Sequence, residues 1–255
     1  MSLQKATAAI TISIDATIAT IEFGHPASNS FPSLLLKELT STIETVGQNP
    51  EVAVVVLKSQ GTAAFCAGAS FDELLAVANE AEGKTFFSGF AHLINAMRKC
   101  PKLIIGRIQG KAIGGGVGIV AACDYVLASQ EASIKLSELA IGIGPFVIEP
   151  AVSRKIGKTA LAELSLAAQE WKSAAWAKEK GLYANTFESI DKLDEAVAEL
   201  AFQITTYNSE ALAELKKVLW EGTEHWDTLL IERAAITGKL VLSEATKTAL
   251  AAFKK

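Results

Sequence analysis

Two loops of small residues and one glutamate hold most of the chemical promise in this 255-residue sequence. The first loop reads Ala64-Phe65-Cys66-Ala67-Gly68-Ala69-Ser70-Phe71-Asp72, and the second reads Gly110-Lys111-Ala112-Ile113-Gly114-Gly115-Gly116-Val117. Each follows an apolar run with the look of a buried strand and precedes a helical pattern. Small residues at such a turn let a ligand approach the backbone, and a helix N-terminus leaves amides unpaired. Two such turns side by side would present two N–H donors to one developing negative charge, which is an oxyanion hole. The plainer reading is that the glycines only allow tight turns and close helix packing. Glu138 follows a strand pattern and lies between Leu136 and Leu139, where desolvation would raise a carboxyl pKa toward the working range. An ordinary surface glutamate in a turn is the alternative.

Other chemistries fit poorly. Gly110-Lys111 is the wrong way round for a phosphate-binding GxxxxGK[ST] loop, and residues 114–118 lack GxGxxG spacing followed by an acidic ribose ligand. No GxSxG elbow is present. His25, His92 and His225 share no metal-ligand spacing, so no metal site is expected. Cys66 lies among apolar neighbours with no cation nearby in sequence, which suits a small buried filler better than a nucleophile.

The elements that must position these groups alternate in the first half. Residues 8–14 and 16–23 read as a hairpin, 32–47 as a helix with Ser30 as its cap, and 52–57 as a strand buried on both faces. Helices over 71–80 and 86–99, a buried strand over 103–108, a buried helix over 117–123 and short strands over 125–128 and 133–136 follow. Beyond Pro145 the pattern is helical, at 147–156, 159–167, 173–180, 193–205, 209–219 and 226–242, with a short amphipathic end over 243–255. Strands first and helices afterwards indicate a mixed α/β core with a helical C-terminal portion.

Half the residues are hydrophobic and a fifth charged, enough for a sizeable core. A net charge of −4 lacks the footprint of a nucleic-acid binder. The longest charge-free stretch, 23–36, contains His25, Pro26, Asn29 and Pro32, so no membrane span is expected. Met1 to Gln4 has no export-signal pattern, and Cys66, Cys100 and Cys123 form no CxxC pair; both suit a cytoplasmic protein with reduced thiols. Lys216-Lys217 and Lys254-Lys255 read as solvated charge pairs. Trp171, Trp176, Trp220 and Trp226 read as helix residues filling core or subunit contacts.

At the two loops the sequence resembles the enoyl-CoA hydratase/isomerase, or crotonase, superfamily. The first loop is similar to that family's AF-x-AG-A-D segment, and the second, through Cys123-Asp124, to its G-x-A-x-GGG…CD segment. Leu136-Ser137-Glu138-Leu139-Ala140-Ile141-Gly142 resembles its PE-x-x-LG turn, and Ala177-Lys178-Glu179-Lys180-Gly181-Leu182 its A-x-x-x-GL hinge. Leu242-Ser243-Glu244 and Ala251-Ala252-Phe253 resemble its closing SED…AF segment.

The resemblance implies a spiral of ββα units over residues 1–190 and a helical trimerisation region over 191–255, as a homotrimer or dimer of trimers. It implies an acyl-CoA thioester as substrate, with coenzyme A entering as part of the substrate and no separate cofactor. The amides of Ala69 and Gly115 would hold the thioester oxygen, Ala67, Gly68, Ala69, Ser70, Phe71 and Asp72 would line the bound CoA, and Glu138 would be the acid/base. His25, His92 and His225 read as turn, helix-face and helix-end residues, an approach of His92 to the acyl tail being the lesser reading. Many hydratases of the family carry a second glutamate where this chain has Gly118. Isomerases of the family manage with one, and Gly142-Ile143-Gly144-Pro145-Phe146 resembles their segment. The expected activity is therefore a double-bond shift. A hydratase is the alternative, including one acting on 3-methylglutaconyl-CoA; a decarboxylase is a further family option, and a CoA-ester-binding protein without catalysis is the reading from another class.

Overall fold

The computed structural model describes residues 9–253; Met1 to Gln4, Ala8 and the Lys254-Lys255 pair lie outside them. The strands are β1 (Ala9–Asp15), β2 (Ile18–Gly24), β3 (Val54–Ser59), β4 (Ala64–Cys66), β5 (Leu103–Ile108), β6 (Lys111–Ile113), β7 (Tyr125–Ser129), β8 (Ile134–Lys135) and β9 (Asn185–Phe187). The helices are α1 (Ser33–Gln48), α2 (Phe71–Ala76), α3 (Glu80–Lys99), α4 (Gly115–Ala122), α5 (Glu149–Leu166), α6 (Ala174–Glu179), α7 (Ile190–Thr205), α8 (Ser209–Leu219), α9 (Trp226–Leu240) and α10 (Glu244–Phe253).

Three successive units set the architecture. In each, one strand joins a large sheet, the next joins a small one, and helical structure follows. The large sheet runs β1-β2-β3-β5-β7-β9 and the small one β4-β6-β8. All pairs are parallel except the β1–β2 hairpin. This is the ββα spiral of the crotonase fold.

The continuous apolar runs serve two cores at once. Val55 and Leu57 of β3 face the main core, whereas Val54 and Val56 join Ile105 and Leu127 in a second cluster. Leu193, Val197, Ala201 and Ile204 of α7 cover that second face. With both faces covered, period-two alternation disappears from the sequence.

Several boundaries differ from expectation. The helix expected over 71–80 ends at Ala76, and α3 begins six residues before the expected start at Phe86. Asn79 caps it, accepting from the Glu82 amide at 3.0 Å, while Glu82 reaches back to the Ala78 amide at 2.9 Å. Such reciprocal bonds outweigh the weak apolar period of the first turn. Ser30 does not cap α1. Its hydroxyl lies 3.1 Å from His25 Nδ1, and the Ser33 amide at the helix start donates to Glu73 of α2 at 2.9 Å. The helices expected at 147–156 and 159–167 are separate as expected, α5 being broken where Gly157 takes a non-helical φ of 74° and ψ of 164°. Strands β4, β6 and β9, of three residues each, are too short to carry a periodic signal, and β4 and β6 lie inside the two segments expected to be loops. Trp171 precedes α6 and Trp220 follows α8 rather than lying on helices, and Trp220 and Trp226 meet edge to face in the core.

Lys216 overturns the reading of its pair as solvated. It is buried, and its ammonium donates to Asp124 Oδ2 at 2.6 Å and to the Met97 carbonyl at 3.0 Å. Trp220 Nε1 and the Ile104 amide each bond the same carboxylate at 2.7 Å. A buried charge persists when matched and fully hydrogen-bonded in this way. Lys217 does stay exposed, paired with Glu214.

Candidate active site

The two loops meet because β4 and β6 are parallel neighbours, so both strands end at the same edge. The first loop is fastened to the strand-like segment before α1: the Phe31 amide donates to the Gly68 carbonyl at 2.8 Å, and the Ser70 amide to the Phe31 carbonyl at 2.9 Å. This bridge skips the amide of Ala69. The second loop turns at Gly114, whose amide donates to the Lys135 carbonyl at 2.9 Å. Gly115 then opens α4, where a helix leaves its first amides unpaired. Among the described residues, neither the Ala69 nor the Gly115 amide donates to a protein acceptor. The loops abut closely: a Cβ on Gly68 would sit 3.1 Å from the Ile113 carbonyl oxygen and 3.8 Å from the Gly115 nitrogen.

Asn29 supports this edge, and nothing in the sequence marked it apart from the tolerance of asparagine for left-handed backbone. At φ 56° its side-chain amide donates to the carbonyls of Gln60 and Ala64 at 2.8 and 2.9 Å, and its Oδ1 accepts from the His25 amide at 3.0 Å. It thereby ties both ends of the β3–β4 connection to the entry of α1.

Glu138 reaches the same place from β8. It begins a short 3-10 turn, Leu139–Ile141, and its carboxyl points back at Gly114. A Cβ on Gly114 would fall 2.9 Å from Glu138 Oε1, and Gly114 takes φ 52°, so only glycine suits the position. Oε2 is buried and has no hydrogen-bond partner among the described residues. Burial raises the pKa of this carboxyl from its ordinary 4.5 to about 7.

These groups line one cavity of about 270 Å³. Ala67, Gly68, Ala69, Phe71, Gly115 and Glu138 stand on its wall; Ser70 and Asp72 do not. Ser70 instead caps α2 through the Glu73 amide. The rest of the wall is mostly apolar, including Leu74, Phe87, Phe90, Ile141, Val147 and Ile148, together with Ser137 and Thr237. Among the described residues Glu138 is the one titratable side chain on that wall. His92 lies elsewhere, in a polar groove with Glu44, Lys99 and Asp227, so it does not approach an occupant of this cavity. Cys66 is buried beside the first loop, its thiol pushed up to about 12 by burial. Among the described residues no group of three or more His, Cys, Asp or Glu could hold a metal, and no helix is long and apolar enough to cross a membrane.

Gly118 has no free space above it. A Cβ there would lie 2.4 Å from Ile148 Cγ2, so the position where a second carboxylate would be sought is filled by an apolar side chain.

A ββα spiral holding two unpaired amides and a sunken carboxyl on one apolar cavity defines a crotonase-type thioester enzyme. The sequence pattern of the enoyl-CoA hydratase/isomerase family matches residues 13–254, and the chain belongs to that family. A short-chain-enoyl-CoA hydratase of Clostridium acetobutylicum is 29% identical over 239 residues, covering 92% of this chain and 90% of the relative. A peroxisomal Δ3,5-Δ2,4-dienoyl-CoA isomerase of Arabidopsis thaliana is 29% identical over 202 residues, covering 73% and 71%. The crystal structure of an enoyl-CoA hydratase from Bacillus halodurans superposes with a TM-score of 0.89 at 22% identity, covering 95% of this chain and 99% of that one.

Proposed function

We propose that this enzyme shifts the double bond of an enoyl-CoA thioester, with Glu138 as its single acid/base. The observation that carries this reading is that, among the described residues, Glu138 is the only titratable side chain on the cavity wall. The Glu138 carboxylate takes a proton from C2 of a 3-enoyl-CoA. The electron pair moves onto the thioester oxygen, held between the amides of Ala69 and Gly115. The same proton then returns at C4, leaving the double bond between C2 and C3. One carboxyl suffices because the proton it removes is the proton it returns. A pKa near 7 suits both halves, since base and acid are then matched in strength. Gly115 at the N-terminus of α4 adds a positive helix end to the oxyanion site.

Hydration would need a group to hold and deprotonate water. Ile148 fills the space above Gly118, which supports the isomerase over the hydratase. Among the described residues no lysine or arginine stands on the wall, which favours an apolar acyl chain over the dicarboxylic 3-methylglutaconyl group. Ala67 to Asp72 would follow the CoA moiety, with Ser70 and Asp72 beyond the acyl cavity. Assembly as a homotrimer or dimer of trimers through the C-terminal helices is supported by the outer face of α8, where Leu215, Val218 and Leu219 are exposed.

Turnover of 3-enoyl-CoA, 2-enoyl-CoA and 3-methylglutaconyl-CoA, compared side by side, tests the reaction. The 3-enoyl substrate is expected to be fastest, and much faster hydration of the 2-enoyl substrate would overturn the isomerase. Incubation with a saturated acyl-CoA in D2O tests for catalysis itself: tight binding without α-proton exchange or turnover would mark a binding protein.

A further inference from the structure

The turn that carries Glu138 is held from behind by the last helix. The Glu138 carbonyl accepts from the amides of Ile141 and Ile143 at 3.2 and 3.0 Å, and the chain leaves the turn through Gly142 at φ 82°. Thr246 of α10, 104 positions further along the chain, donates its hydroxyl to the Gly142 carbonyl at 2.9 Å. Thr246 is fully buried, and its Oγ1 also lies 2.9 Å from the Leu240 carbonyl and 3.0 Å from Ser243 Oγ. The contact has no slack: a Cβ on Gly142 would fall 2.6 Å from Thr246 Oγ1 and 2.9 Å from its Cα.

Inside the cavity, by contrast, Oε2 of Glu138 accepts no hydrogen bond among the described residues, and no other titratable side chain lines the wall. A carboxyl with so little to orient its head takes its direction from its backbone. That backbone is one short turn, and the far end of the turn is Gly142.

We propose that Thr246 is a positioning residue: through Gly142, helix α10 aims the Glu138 carboxyl into the cavity and keeps water from its buried side. The proposal rests on the reading of Glu138 as the acid/base. Thr246→Val keeps the shape of the side chain and removes the donor, whereas Thr246→Ser keeps the donor. Misplacement of a reacting group by about 1 Å costs up to about a hundredfold in rate. The measurements are α-proton exchange of a saturated acyl-CoA in D2O, its pH midpoint, and the dissociation constant of the same acyl-CoA.

Thr246→Val is expected to slow exchange about tenfold to a hundredfold and to move the midpoint down from near 7 toward 4.5, as water reaches the carboxyl. Binding should stay within about twofold, and Thr246→Ser should restore both exchange and midpoint. Gly142→Ala presses on the same contact from the other side and should reproduce the change. A folded Thr246→Val or Gly142→Ala protein with wild-type exchange and midpoint overturns the proposal. Loss of folding in both variants also overturns it, by assigning the contact to stability alone. Glu138→Gln separates the two ideas. If that variant still exchanges, the acid/base reading falls and the positioning role with it. If it is inert while Thr246→Val is silent, only the positioning role falls.

Discussion

Helix α4 has a buried carboxyl at each end, and the two are treated in opposite ways. Beyond its C-terminus, Asp124 accepts from Lys216, Trp220 and the Ile104 amide. Beside its N-terminus, Glu138 keeps an oxygen with no partner among the described residues, in a cavity walled mainly by phenylalanine, leucine and isoleucine. A buried carboxylate that is fully bonded fixes structure and is chemically quiet. One that is buried and poorly bonded binds its proton more tightly and is ready to exchange it. Burial alone therefore does not separate structural acids from reactive ones; the count of partners does.

The largest effect that would break this contrast is on rate. Glu138→Gln should lower α-proton exchange by about 10²- to 10⁴-fold, the range for losing a general base, with acyl-CoA binding retained in calorimetry. Asp124→Ala should act on stability instead, by about 3–5 kcal/mol in urea unfolding, because the Lys216 ammonium is left buried without its counter-charge. An Asp124→Ala protein with normal stability would remove the structural half of the comparison.

Glu138→Gln should also stabilise the fold, by an amount that grows as pH rises from about 4.5 to 7 and is constant above. The folded-state pKa of about 7 exceeds the ordinary 4.5, so the native protein holds this proton more tightly than the unfolded chain. The resulting stability is fully present below about pH 4.5 and is lost as pH rises through 7. Replacing the acid by an amide should therefore change little at pH 4 and raise stability by about 3 kcal/mol at pH 9, read from denaturant midpoints. An equal shift at both pH values would mean that the carboxyl is not desolvated.

Ala69→Pro removes an amide donor at a position that already carries a Cβ. It should cost about a hundredfold in turnover if that amide holds the enolate oxygen. Gly115 is the poorer site for this test, because a Cβ there would lie 2.3 Å from the Phe90 ring. The smallest effect is expected at Gly118→Ala, about 1–3 kcal/mol of overpacking against Ile148, with the reaction unchanged. For the same reason, a glutamate introduced at Gly118 should bring hydration only when Ile148 is shortened as well.

The sequence by itself determined the strand–helix alternation of the first half, both glycine-containing segments and the glutamate after a strand pattern, because each is written within a few neighbouring residues; the ββα spiral was implied only by the family resemblance. Strands buried on both faces are continuous apolar runs, and turns that crowd a ligand need small residues, so local pattern suffices. The tertiary structure alone decided which polar groups meet. Lys216 finds Asp124 across 92 positions, Glu73 satisfies the start of α1 across 40, and Ile148 occupies the space above Gly118. It also decided that Asp124 is fully partnered and Glu138 is not. A lysine in an amphipathic helix has the same local pattern whether it faces water or a buried carboxylate. Its fate depends on desolvation and on partners far away in the chain, and periodicity along the sequence carries no record of either.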